Sequence, residues 1–156
     1  MSDRKRIAIV RVRGRTGIAP DVEETMRLLG LTRVNHCVVT ENTPQVRGML
    51  EKCRSYVTWG ELDPGTFAEL LGRRGRLSGD RRVTEATLKA AGFESIDAFA
   101  QKFIGFEAEL GSIAELKKVF RLHPPKKGYG SIKKPYPRGA LGNRGAEIGE
   151  LLRRMM

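Results

Sequence analysis

Residues 116–146, LKKVFRLHPPKKGYGSIKKPYPRGALGNRGA, limit the fold more than any other part of the chain. They hold five Gly and four Pro, so most of the segment is barred from helix and from the inner strands of a sheet. The same residues include nine Lys and Arg and no Asp or Glu. The whole chain carries 29 basic and 18 acidic residues, so outside this segment 20 basic residues face 18 acidic ones. The net charge of +11 is therefore mostly local. An extended, acid-free arm with Tyr129 and Tyr136 between its lysines suits a polyanion. RNA fits best, since amines meet phosphates while flat rings stack on bases or riboses. The plain alternative is a solvated basic tail.

A chain of 156 residues fits one domain, or one domain with an added piece. Apolar content of 40% with 30% charge describes a small folded body with charged appendages. Cys37 and Cys53 are too few for a disulfide framework and fit a reducing compartment. The longest early apolar run, residues 7–10, is too short for a signal peptide or a membrane span, which points to the cytosol.

Residues 7–13 alternate at period two and read as a strand. Ala8, Val10 and Val12 share one face, and Ile7, Ile9, Arg11 and Arg13 the other. That second face turns cationic along its length, and Arg15 extends it. Same-face residues lie roughly 6.6 Å apart, so these arginines are expected to form a row of phosphate contacts, or else to be solvated or to pair with the acids of the next helix. Pro20 opens a helix, Asp21, Glu23 and Glu24 suit its positive end, and Gly30 stops it. A second strand spans 34–40. Thr43 then caps a second helix with Pro44 in its first position. A short third strand, 56–59, ends at Gly60. Asp63-Pro64 repeats the cap-then-proline signal for a third helix.

Residues 73–82 form a break, with five arginines and three glycines in and around it. Arg73 and Arg74 open this second candidate RNA contact. Helices are expected over 84–91 and after Ser95, and Ser112 with Glu115 has capping-box spacing before a short helix. Residues 119–122 read as a strand returning to the sheet edge. The chain closes with an apolar helical stripe, Ile148, Leu151, Leu152 and Met155, which needs the body or a neighbour to dock on. This divides the chain into a β-α-β-α-β core at 1–60, a helical extension at 61–118, and an edge strand, basic arm and terminal helix at 119–156.

Chemistry is sparse. No phosphate-binding loop of the strand–glycine–lysine type is present. His36 and Cys37 are neighbours on a strand and point to opposite faces, so neither a zinc site nor a Cys-His nucleophile is supported. No carboxylate pair falls in a catalytic spacing. No metal, cofactor or small-molecule substrate is expected. Two rivals remain: a small enzyme handling a phosphate or acyl-phosphate with the basic loop 14–17 and Asn35, and a basic protein on an anionic membrane. The first lacks a base or nucleophile, and the second lacks an amphipathic helix with lysines opposite large aromatics.

Four blocks carry a family resemblance: IAIVRVRGRTGIAPDVEETMRLLGLTRVNHCVV at 7–39, YVTWG at 56–60, FRLHPP at 120–125, and GALGNR at 139–144 after the basic arm. In this order and spacing the chain resembles the long, archaeal and eukaryotic form of ribosomal large-subunit protein family thirty, whose eukaryotic counterpart is called family seven. The resemblance implies an α+β fold: a small ferredoxin-like layer, an antiparallel sheet with helices on one face, plus a helical insertion and an extended basic C-terminal arm. It implies a structural, non-catalytic role in the cytoplasmic ribosome, with large-subunit ribosomal RNA and neighbouring ribosomal proteins as partners. The RNA contacts it implies are Arg11, Arg13 and Arg15 at the strand end, and Arg121, His123, Lys126, Lys127, Tyr129, Lys133, Lys134, Tyr136, Arg138, Asn143 and Arg144 along the arm. The arm starts PPKKG, where many relatives have proline, arginine and paired glycines.

Overall fold

The structure, a computed structural model, describes residues 5–14, 16–113 and 115–156. Its strands are β1 (Arg6–Arg11), β2 (His36–Glu41), β3 (Val57–Glu61), β4 (Val119–Arg121), β5 (Ser131–Pro135) and β6 (Gly139–Asn143). Its helices are α1 (Pro20–Leu29), α2 (Pro44–Lys52), α3 (Pro64–Arg74), α4 (Glu85–Ala90), α5 (Ile96–Ile104) and α6 (Ile148–Met155). The strands form one sheet in the order β4-β2-β1-β3-β6-β5. β1 pairs antiparallel with β2 and β3, and β2 with β4, while β6 runs parallel to β3. This is the expected mixed α+β architecture, with its helical insertion and terminal helix.

Local chemistry explains the helix starts. Thr43, Asp63, Thr84 and Ser95 each accept a hydrogen bond from the backbone N–H three residues on, satisfying a donor that the helix itself leaves free. Gly30 closes α1 in the left-handed region, at φ 88°, where a side chain is costly.

Strand alternation splits the core into two. Ile7 and Ile9 pack with Met26, Leu31, Leu50 and Val57, so α1 and α2 cover one face. Ala8, Val10, Cys37, Val39 and Phe120 point the other way, onto side chains of α3, α5 and α6. The core helices thus lie on one face and the later helices on the opposite one. Phe67 and Phe103 stack at 4.5 Å between centroids at the centre of that second layer.

The terminal helix docks on the body. Ile148, Leu151, Leu152 and Met155 are all fully buried, each contributing about 1.5–3 kcal/mol over the exposed state. Their seat depends on Gly60. A Cβ there would stand 2.2 Å from the Gly145 carbonyl oxygen and 2.7 Å from the Ile148 Cβ. Gly60 lies inside β3 rather than ending it. Cys37 and Cys53 belong to the two different cores and are free thiols. Burial pushes them up to about 12 and about 11, so both stay protonated at neutral pH.

Two other expectations change. Ser112 does not cap a following helix; it closes a 3-10 turn, Leu110–Ser112, capped reciprocally with Glu109. More important, the glycine-rich segment does reach an inner strand position, because β6 lies between β3 and β5. Small residues permit this. A Cβ on Gly139 would stand 2.2 Å from the Lys134 carbonyl oxygen, so the backbones approach where only glycine fits.

Candidate nucleic-acid interface

The registers collect one end of the central strands. Arg11 pairs with Val57, Val10 with Cys37, and His36 with Arg121, so the end of β1, the starts of β2 and β3, and the end of β4 lie side by side. Carboxylates close the far end, where Glu41 ends β2 and Glu61 ends β3, the latter held by Lys5 at 3.1 Å. That end is charge-balanced, because Lys5 and Arg6 stand beside the two carboxylates.

The expected row of arginines does not survive intact. Arg11 is 1% exposed. Its Nη1 donates to the Leu31 carbonyl at 2.9 Å and its Nε to the Arg13 carbonyl at 2.9 Å. It clamps β1 to the loop after α1. The reason lies on its own strand face: Ile7 and Ile9 are covered by α1 and α2, and the cover extends over Arg11. Arg13 is half-exposed, with its guanidinium 5.0 Å from the Tyr56 ring centre. Arg15 lies outside the described residues.

The arm is held at its base by α6. Beyond exposed Arg121, the N–H groups of His123 and Lys126 donate to the carbonyls of Met155 and Arg154, at 2.9 and 3.0 Å. Arg154 Nη1 donates in return to the carbonyls of Lys126 and Gly128, at 3.2 and 3.0 Å. The half-buried Tyr129 donates its hydroxyl to Asn35 Oδ1 on the loop before β2. Tyr129 thus fixes the arm to the sheet, and its ring packs against the core rather than standing free for stacking.

Past this clip the cations open outward. His123, Lys126, Lys127, Lys133, Lys134 and Arg138 are all exposed. Tyr136 is exposed too, with the Arg144 guanidinium 5.1 Å from its ring centre. Asn143 is exposed, but its Oδ1 accepts from the Gly145 N–H at 2.8 Å. Arg144, also expected at the RNA, is 9% exposed, and its Nε donates to Thr58 Oγ1 at 3.1 Å. It ties the end of β6 to β3. The arm is thus a folded edge with an exposed cationic rim, not a free strap. Limited trypsinolysis of the free protein is expected to cut after Lys126, Lys127, Lys133 and Arg138 and to spare Arg144. Early cutting at Arg144 would show that β6 does not pair stably.

Residues 73–82 are more ordered than a loose basic loop. Arg76 and Arg82 form a β-bridge, Arg76 stands 3.9 Å from Asp80, and Arg81 pairs with Glu115. Arg73 stays exposed, whereas Arg74 is half-buried.

Lys5, Arg6, Arg27, Lys52, Arg54, Arg76, Arg81 and Arg153 each stand within 4 Å of a carboxylate. None of Arg13, Arg121, Lys126, Lys127, Lys133, Lys134 and Arg138 has an ion pair to a described carboxylate. The same holds for Arg33, Lys117 and Lys118, which sequence reasoning did not single out. The absence of neighbouring acids in 116–146 could have flagged the two lysines; nothing in the sequence marks Arg33. No group of three or more His, Cys, Asp or Glu side chains among the described residues could hold a metal ion. No helix among them is long and apolar enough to cross a membrane.

One end of the sheet and the arm beside it thus concentrate exposed positive charge without a described acid partner. The model of the family described as ribosomal protein L30p/L7e matches residues 7–57. "Large ribosomal subunit protein uL30" of Methanopyrus kandleri is 50% identical over 149 residues, covering 93% of this chain and 100% of the relative. Its counterpart in Archaeoglobus fulgidus is 45% identical over 149 residues, covering 95% and 98%. The chain belongs to the L30p/L7e family.

Proposed function

We propose that this protein is a structural component of the large ribosomal subunit in the cytoplasm and binds ribosomal RNA. Its contacts are Arg13 and the exposed rim of the arm: Arg121, His123, Lys126, Lys127, Lys133, Lys134, Tyr136 and Arg138. The role is architectural: the globule sets the rim in place, and the rim neutralises phosphates. One observation carries this reading. The exposed cations of the rim have no ion pair to a described carboxylate, although 18 acidic residues are available in the chain. What sets the rim apart is density: residues 116–146 hold nine Lys and Arg and no acid, and seven of the nine are exposed.

Each phosphate neutralised releases counterions, so binding weakens steeply with salt. Sedimentation tests the reading directly. The protein is expected to travel with large subunits at low salt and to leave them only at high salt. Persistent sedimentation as a free monomer at low salt, in the presence of subunits, overturns it.

A further inference from the structure

Asn35 holds its backbone at φ 68°, in the left-handed region that few side chains other than Asn and Asp enter. The end of β1, the end of β4 and the arm all meet on it. Its N–H donates to the Arg11 carbonyl at 2.8 Å, and its carbonyl accepts from the Leu122 N–H at 3.1 Å. Its side-chain Oδ1 accepts from the Tyr129 hydroxyl. With N–H and C=O both engaged in the sheet, only the side chain is left to hold the arm. The arm depends on that hold. Gly128 is the last residue bonded to α6, and β5 begins at Ser131. Between them Tyr129 packs its half-buried ring against the core and turns its hydroxyl to Asn35. Its other polar neighbour, Met155 Sδ at 3.9 Å, is a weak acceptor.

The place of this pin in the cationic surface is what gives it a use. Arg13 lies two residues beyond Arg11. Lys126 and Lys127 precede Tyr129, and Lys133 and Lys134 follow it. Asn35 therefore joins the strand end that carries Arg13 to the segment that carries the lysines.

We propose that Asn35 is a positioning residue for RNA binding: through Tyr129 it sets the arm in one place relative to the end of β1, so that Arg13 and the arm's lysines meet a single RNA together. This rests on the RNA-binding reading above. Neither Asn35 Oδ1 nor the Tyr129 hydroxyl touches the RNA. An arm already in place gives up less freedom on binding. When the pin is lost, apparent affinity falls with the fraction of molecules whose arm is in place. The number of phosphates met stays the same, so the loss is equal at every salt concentration and the log–log slope does not change. Losing a lysine contact, by contrast, flattens the slope.

The test is filter binding of large-subunit ribosomal RNA over a salt series, with the whole protein and its variants. Asn35→Gly tolerates the backbone conformation and keeps both backbone bonds, but removes the acceptor. Tyr129→Phe keeps the ring and removes the donor. Each is expected to weaken binding about fivefold, the worth of one net hydrogen bond, with the wild-type slope. The double variant is expected to be no weaker than either single one, because both changes break the same bond. Trypsin is expected to cut the variants faster after Lys127 and Lys133. Wild-type affinity in both single variants, while the wild-type protein binds with a steep slope, overturns the role of Asn35 and leaves RNA binding by the arm. A flatter slope in either variant, or losses that add in the double variant, also overturns it, since the two groups then meet the RNA separately. Absence of salt-dependent binding by the wild-type protein removes the RNA reading and the positioning role with it.

Discussion

Arg11→Ala is expected to lower stability by about 3 kcal/mol and to leave the salt dependence of RNA binding unchanged at temperatures where the variant is folded. The side chain is buried and donates to two backbone carbonyls, those of Leu31 and Arg13. Removing a charged donor strands those acceptors away from water and opens a cavity; each stranded group costs roughly 1–3 kcal/mol. Arg11→Met refills most of the volume without restoring a donor. It should recover the packing part of the loss and not the hydrogen-bond part. Urea titration gives the stability, and filter binding over a salt series gives the slope. An Arg11 variant with native stability and a flatter slope would return this residue to the RNA surface.

The second large effect is on affinity. Changing Lys126, Lys127, Lys133 and Lys134 together to alanine removes four exposed cations that have no ion pair to a described carboxylate. With about six to ten phosphates neutralised, wild-type affinity falls by roughly three to five decades between 50 and 200 mM salt. Giving up four of those phosphates reduces the log–log slope by about 3.6, so the variant weakens by about two decades less across that range. Its binding at low salt is correspondingly poorer, and its thermal melting is close to wild type because the four side chains touch water. A variant that binds and responds to salt as wild type does would show that these lysines point away from RNA.

Much of the core was legible from the chain. Thr43-Pro44 and Asp63-Pro64 placed two helix starts, Pro20 and Gly30 bracketed another, and alternation through Ile7 and Ile9 gave the first strand. These signals are local: a cap, a ring-locked φ or a two-residue period acts within one turn. What failed was non-local. Nothing near Arg11 in sequence shows that the α1 cover extends past Ile9 to Leu31. Nothing in GALGN marks a strand, because its pairing with β3 depends on contacts more than 80 residues away, such as Thr58 Oγ1 donating to the Gly142 carbonyl at 2.8 Å. The charge of the arm was plain from composition, and that of Lys126 to Arg138 lies on the surface as expected. Arg144 and Tyr129 had the residue types of an RNA contact but are turned inward by the very folding of the segment that carries them.

The clip between α6 and the arm has a temporal consequence. Arg154 and Met155 are made after every residue they hold, so a nascent chain carries its lysines on an unfastened loop until α6 emerges. The arm is fastened in the same step in which Ile148, Leu151, Leu152 and Met155 complete the second core. Until α6 is made, the N–H groups of His123 and Lys126 have no carbonyl partners on it, so the base of the arm is fastened last.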